Sequence, residues 1–176
     1  AQFVNIAIER EDFNYLRRGW PILSRAIERI DMLVMNMLVF SRDRVPARSK
    51  TDINGILRDV LGMFEERANK YDVGLELEPD AVGIANVDGQ AIYRVIVNLV
   101  VNAVEACEHN KGNIRLTCAC DEQGCTIRVI DSGIGIPEEI LPKLSQVFVS
   151  SKGGSGTGLG LACSYKIVRE HGGEIQ

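Results

Sequence analysis

The sequence has no excess of basic residues, no apolar run long enough to cross a bilayer, no C-x-x-C pair and no initiator methionine. Each absence excludes something. With 20 basic against 24 acidic residues the net charge is −4, so no broad positive field favours nucleic acid or an anionic membrane. The longest apolar run, Met32 to Phe40 broken by Asn36, is far short of the ~20 residues that span hydrocarbon, and no membrane-crossing segment is expected. Five cysteines, at 107, 118, 120, 125 and 163, form an odd set without metal-type spacing. That pattern argues against both a disulfide framework and a zinc site, and predicts reduced, small apolar residues in a cytoplasmic setting. The opening AQFVNIAIER carries no signal-peptide pattern, and HGGEIQ stops where a strand could begin. An excised fragment is expected.

What is present suits an ordinary globular chain: 176 residues, 45% apolar and 25% charged. Ala1 to Arg10 reads as the end of one helix, and Asp12 as the N-cap of a longer one. In that second helix Leu16, Trp20, Leu23, Ile27, Ile30, Val34 and Met37 recur at spacings of 4 and 3, the seam of a coiled coil or bundle. A two-helix hairpin buries little by itself, so dimerisation to four helices is expected, rather than packing of the seam on the following domain. Pro21 removes a helix hydrogen bond and predicts a kink. The polar segment SRDRVPARSK reads as an interdomain linker.

Beyond it, Asp52 is placed to cap a helix reaching about Tyr71, strands are predicted over 73–77 and 84–87, and Asp88 caps a helix over 89–107. Residues 113–120 and 125–130 alternate as a hairpin, Pro137 opens a short helix, and a last helix covers 158–170. The expected class is α+β: a two-layer α/β sandwich with a mixed sheet on one face and three helices on the other, behind a long hairpin helix.

Three stretches carry chemistry. GGSGTGLGL, from Gly153, places glycines at 153, 154, 156 and 158 ahead of an amphipathic helix. Bare N–H groups and the positive end of a helix dipole make such a run an anion cradle. Within the helix over 89–107, Arg94, Asn98 and Asn102 recur every four residues on one face. Asn carbonyl oxygens suit hydrated Mg²⁺, a hard ion shared with substrate phosphates. Directly after a strand, Asp131-Ser-Gly-Ile-Gly-Ile-Pro137 offers a carboxylate to an exocyclic amine, with Gly133 and Gly135 letting backbone approach a flat ring.

NLVVNAVEA (98–106), DSGIGIP (131–137) and GTGLGLA (156–162), in this order, resemble the N, G1 and G2 boxes of the Bergerat-fold ATPases. More narrowly, the G-T-G-L-G-L wording, Phe148, Lys152 and His171-Gly-Gly173 resemble sensor histidine kinases of two-component systems. The resemblance implies a partial dimerisation and phosphotransfer hairpin over 1–45, a linker over 46–50 and a catalytic ATP-binding domain over 51–176. It implies ATP and Mg²⁺ as cofactors, with Asn102 as metal ligand and Asn98 one turn before it. Asp131 would bond the adenine amine, with Gly133 and Gly135 lining the pocket. Gly156, Thr157, Gly158, Leu159 and Gly160 would contact the phosphates, with Lys152 as a lid cation. Asn98, Asn102 and Lys152 form the expected catalytic set. The implied partners are a second copy of the chain through the hairpin and the receiver domain of a response regulator; neither nucleic acid nor membrane is implied for this fragment.

There are departures. The two histidines, His109 and His171, lie outside the helical hairpin, so the phosphoacceptor is expected upstream of residue 1. Ser145 and Val149 stand where the family often has Phe. Among Bergerat-fold branches, the gyrase, Hsp90 and MutL type of ATP-gated switch carries a Glu at the position of Asn98, as base for an attacking water. A neutral amide is a poor base, which favours transfer to a protein nucleophile. An ATP-gated switch of that type and a nucleotide-binding pseudokinase are the competing functions for the same three boxes.

Overall fold

Two aspartates set where the core helices begin. Asp52 accepts the Gly55 N–H at 2.9 Å and Asp88 that of Ala91 at 3.1 Å, each satisfying a first-turn donor that the helix itself cannot. The structure, a computed structural model, describes residues 13–41, 45–108, 110–144, 146 and 158–176. In chain order these form α1 (Phe13–Ser41), β1 (Ser49–Asp52), α2 (Ile53–Lys70), β2 (Gly74–Glu78), β3 (Ile84–Val87), α3 (Gly89–Cys107), β4 (Asn113–Cys120), β5 (Cys125–Asp131), a 3-10 turn (Leu141–Lys143) and α4 (Gly160–Glu170).

The strands make two sheets. β1 pairs antiparallel with β3, and β4 lies between β2, which is parallel to it, and β5, which is antiparallel. β4 alternates cleanly: Ile114, Leu116 and Cys118 point inward and are buried, whereas Asn113 and Arg115 face out, as period 2 requires. Against this inner face pack Leu57, Val60, Leu61 and Phe64 of α2 and Ile96, Val100 and Val104 of α3. A second apolar contact joins Val95 of α3 to Cys163 and Ile167 of α4. α3 is therefore apolar on two sides. It is long and apolar enough to cross a bilayer by composition, yet both its apolar faces are covered by protein, so it is the central core helix. The α/β sandwich is as expected; its sheet is divided into the mixed three-stranded part and a separate ribbon.

Several local expectations need correction. The segment expected as linker already holds a strand, because Ser49 and Lys50 pair with Val87 and Asn86. Pro137 opens a turn, with Ile140 N–H donating to its carbonyl, and the 3-10 helix starts only at Leu141. α4 begins at Gly160 because Gly158 takes φ of +63°, outside the helical region. The cysteines are not all reduced: Cys120 and Cys125 are disulfide-bonded, being directly opposed in the β4–β5 register. Counting cysteines along the chain cannot see a register, and the case for a cytoplasmic setting from reduced thiols falls with it.

α1 runs through Pro21 as one helix. One side meets α4, where the Cys163 thiol donates to the Asn36 carbonyl at 3.3 Å and Asn36 is buried. Trp20, Ile27, Ile30, Val34 and Met37 of the expected seam are exposed. Asp12, Lys152, Gly156, Thr157, His109, Ser145, Phe148 and Val149 lie outside the described residues.

Candidate functional site

The site is built along α3. Asn98 shares its helix face with Arg94 and Asn102, and it is only 8% exposed, because α4 covers that turn. Its Nδ2 donates to the Gly160 carbonyl at 3.1 Å and to Ser164 Oγ at 3.4 Å, while Ser164 Oγ donates to the same carbonyl at 3.0 Å. Asn98 thus pins the first turn of α4 to α3. A Cβ on Gly160 would sit 3.4 Å from Asn98 Oδ1, an ordinary contact, so the packing of the two helices does not by itself demand glycine there. Leu159, at the N-cap of α4, has no side-chain hydrogen bond to the first turn, and a helix N-terminus is the kind of end that receives an anion. Leu159 itself is buried and anchors the entry.

One turn further along α3, Asn102 is exposed. One more turn on, at Ala106, the chain returns from β5. Gly133 packs so tightly there that a Cβ would meet the Ala106 backbone carbon at 2.7 Å and its oxygen at 2.8 Å. Ile134 N–H donates to the Ala106 carbonyl at 3.3 Å. Glycine at 133 is therefore demanded by helix packing. Gly135, at φ of +70° with open space around it, is demanded by backbone conformation.

Asp131 ends β5 and is exposed; one of its oxygens accepts the Gly133 N–H at 2.9 Å. A carboxylate has further acceptor sites. Its negative charge also reaches Cys107 at the end of α3: burial chiefly, then Asp131, push that thiol up against opposing hydrogen bonds from Ser132. Ser132 Oγ accepts the Asn113 N–H at 2.8 Å, tying the turn to β4. Ile134 and Ile136 are exposed at 74% and 52%, an apolar surface beside the carboxylate.

From Asn98 to Ala106 is about 12 Å along the helix axis. An anion-receptive helix end, a carboxamide and a carboxylate beside apolar side chains are spaced over the reach of a nucleotide from phosphates to base. Sequence reasoning missed Ser132 and Ser164, which hold this arrangement through hydrogen bonds between distant segments. Apart from Ser132's place in the D-S-G turn, no local pattern marks them. His171 proves to be a latch: its Nε2 accepts the Asp88 N–H at 3.1 Å and its Nδ1 meets the Ile167 carbonyl at 2.8 Å, joining the end of α4 to the cap of α3.

The chain matches known proteins over this region. The family described as histidine kinase-, DNA gyrase B-, and HSP90-like ATPase matches residues 87–176. Sporulation kinase E of Bacillus subtilis (strain 168) is 30% identical over 156 residues, covering 88% of this chain and 21% of that protein. The chain spans between 21% and 35% of the first three curated relatives it matches. The nucleotide-free catalytic domain of histidine kinase ThkA superimposes with a TM-score of 0.63 at 33% identity, over 70% of this chain and 80% of that one. ThkA in complex with the response regulator protein TrrA gives a TM-score of 0.71 at 30% identity, over 91% of this chain and 46% of that one. The chain therefore belongs to the histidine kinase-, DNA gyrase B- and HSP90-like ATPase family, as the ATP-binding catalytic domain of a sensor histidine kinase.

Proposed function

We propose that this chain positions ATP for transfer of its γ-phosphoryl group to a histidine on a helical bundle, from which a response-regulator aspartate receives it. The observation that carries the reading is the order of groups along α3, from the N-terminal turn of α4 at Asn98 to the Asp131 turn at Ala106. In this reading Asp131 accepts from the adenine amine, and Gly133 and Gly135 shape the ring's seat. The N–H groups of Gly158 to Gly160 receive the phosphates, together with Gly156, Thr157 and a lid cation, Lys152. The exposed carboxamide of Asn102 fits Mg²⁺, whose charge would offset that of the phosphates when bound. Asn98 acts as a positioning residue: its Nδ2 donates to Gly160 and Ser164, and a neutral amide is a poor base, which supports transfer over a water-activating role. The domain reading is residues 51–176 as catalytic unit, 46–50 as link and 1–45 as part of a dimerising hairpin.

Among the described residues the one histidine is His171, and both its ring nitrogens are engaged. It is not the acceptor. The chain alone should bind ATP with Mg²⁺ without labelling itself, and should label an acceptor-bearing helical hairpin supplied in trans. Asn102→Ala should remove the Mg²⁺ dependence of both binding and transfer. Release of free phosphate at the same rate with and without the hairpin would favour the gyrase type of ATPase and defeat the kinase reading.

A further inference from the structure

On the helix-facing side of the β4–β5 hairpin three sulfurs converge. Cys118 and Cys120 lie two apart on β4 and so share a face, and Cys125 is the register partner of Cys120. Cys120 and Cys125 form the disulfide. The free thiol of Cys118, a buried residue, lies 3.5 Å from both of their sulfurs. All three sulfurs fall within 4.8 Å of one another.

A covalent staple across a hairpin needs two cysteines, and the third adds nothing to it. Three sulfurs held together by strand register are instead a soft-ligand set, preorganised because the ladder places them before any ion arrives. A tetrahedral zinc thiolate, with Zn–S of ~2.3 Å, separates its sulfurs by about 3.7 Å, close to the spacing that Cys118 already keeps. The surroundings favour a cation. Asp80, in the turn between β2 and β3, lies beside the cluster. The Asp80 carboxyl accepts a hydrogen bond from the Cys120 backbone, so a negative charge stands next to the three sulfurs. The cluster is separate from the nucleotide site: Cys125 and Asp131 stand at opposite ends of β5, roughly 20 Å apart.

We propose that Cys118, Cys120 and Cys125, once the disulfide is reduced, bind one thiophilic d10 cation, zinc(II) or copper(I), as three thiolates. Two molecules of a low-molecular-mass thiol reduce the Cys120–Cys125 bond and become one disulfide, leaving two protein thiols. The cation then displaces one proton from each of the three sulfurs. In the oxidised protein only the Cys118 thiol remains as a donor, so occupancy follows the redox state of the hairpin.

The test uses the purified chain, reduced with a phosphine that is then removed. It is titrated anaerobically with zinc(II) against a chromophoric chelator, and separately with copper(I) against a copper(I) chelator. One equivalent of at least one ion is expected; the arm that responds identifies which. That binding should be lost in Cys118→Ser and in the oxidised wild type. ATP affinity is measured on the same samples and should stay the same throughout, which shows that the variant is folded and separates this test from the nucleotide reading. Failure of the reduced wild type to hold either ion stoichiometrically overturns the proposal. So does unchanged binding by Cys118→Ser.

Discussion

Asp131 and Gly133 stand two residues apart and depend on different physics. Asp131 is an exposed carboxylate whose turn leaves it acceptor capacity; replacing its charge with an amide weakens a hydrogen bond of the charged class to a neutral one. Asp131→Asn is expected to lower ATP affinity about tenfold, read by calorimetry. Gly133→Ala puts a methyl group 2.7 Å from the Ala106 backbone, where neither partner can swing away. A loss of stability of about 1–3 kcal/mol is expected, as for other overpacked sites, with the thermal midpoint as the measure. The DSGIGIP wording marked both positions, but the demand at 133 comes from α3, a helix that ends 26 residues earlier. Asn98 makes the same point in reverse. Its four-residue spacing to Asn102 was plain in the chain, and its burial under α4 depends on where a segment more than 60 residues later returns.

At the scale of elements, the turn between β2 and β3 is a titratable joint. Asp80 accepts the N–H groups of Gly83 and Val82 at 2.8 Å each, and these bonds hold its carboxyl below the usual carboxylate range. A depressed acid contributes fully above its unfolded value and loses that contribution as pH falls through the folded one. The turn should therefore loosen only on the acid side. Amide exchange at Gly83 followed against pH should show this limb in the wild type and not in Asp80→Asn. A larger element effect belongs to α1. Its 4 and 3 spacing correctly indicated an amphipathic helix, and the structure divides its surface: the Asn36 side meets α4, while Trp20, Ile27, Ile30, Val34 and Met37 remain open to solvent. If that stripe is the dimer seam, Ile30→Glu should convert a dimer to a monomer in sedimentation without changing ATP affinity. A wild type that sediments as a monomer at high concentration would contradict the seam.

For the whole molecule, function was more legible than architecture. The three boxes are short local wordings, so their order along the chain survives without any knowledge of packing, and so do the capping aspartates Asp52 and Asp88, which act within three residues. The strand Ser49–Asp52 was not legible, since its polar residues carry no alternation and its pairing to β3 arises across more than 30 residues. Nor was the thiol cluster, since parity and motif counting treat the cysteines as points on a line. By itself the sequence determined the capped helices α2 and α3, the β4–β5 hairpin and the groups proposed to meet a nucleotide, because capping, periodicity and box chemistry act over a few bonds. Only the tertiary structure decided that Asn98 is a buried clamp on α4, that Gly133 yields to α3, that His171 latches α4 to Asp88 and that three cysteines share one face. Those outcomes depend on close packing between segments far apart in the chain, where tenths of an ångström determine which side chain fits.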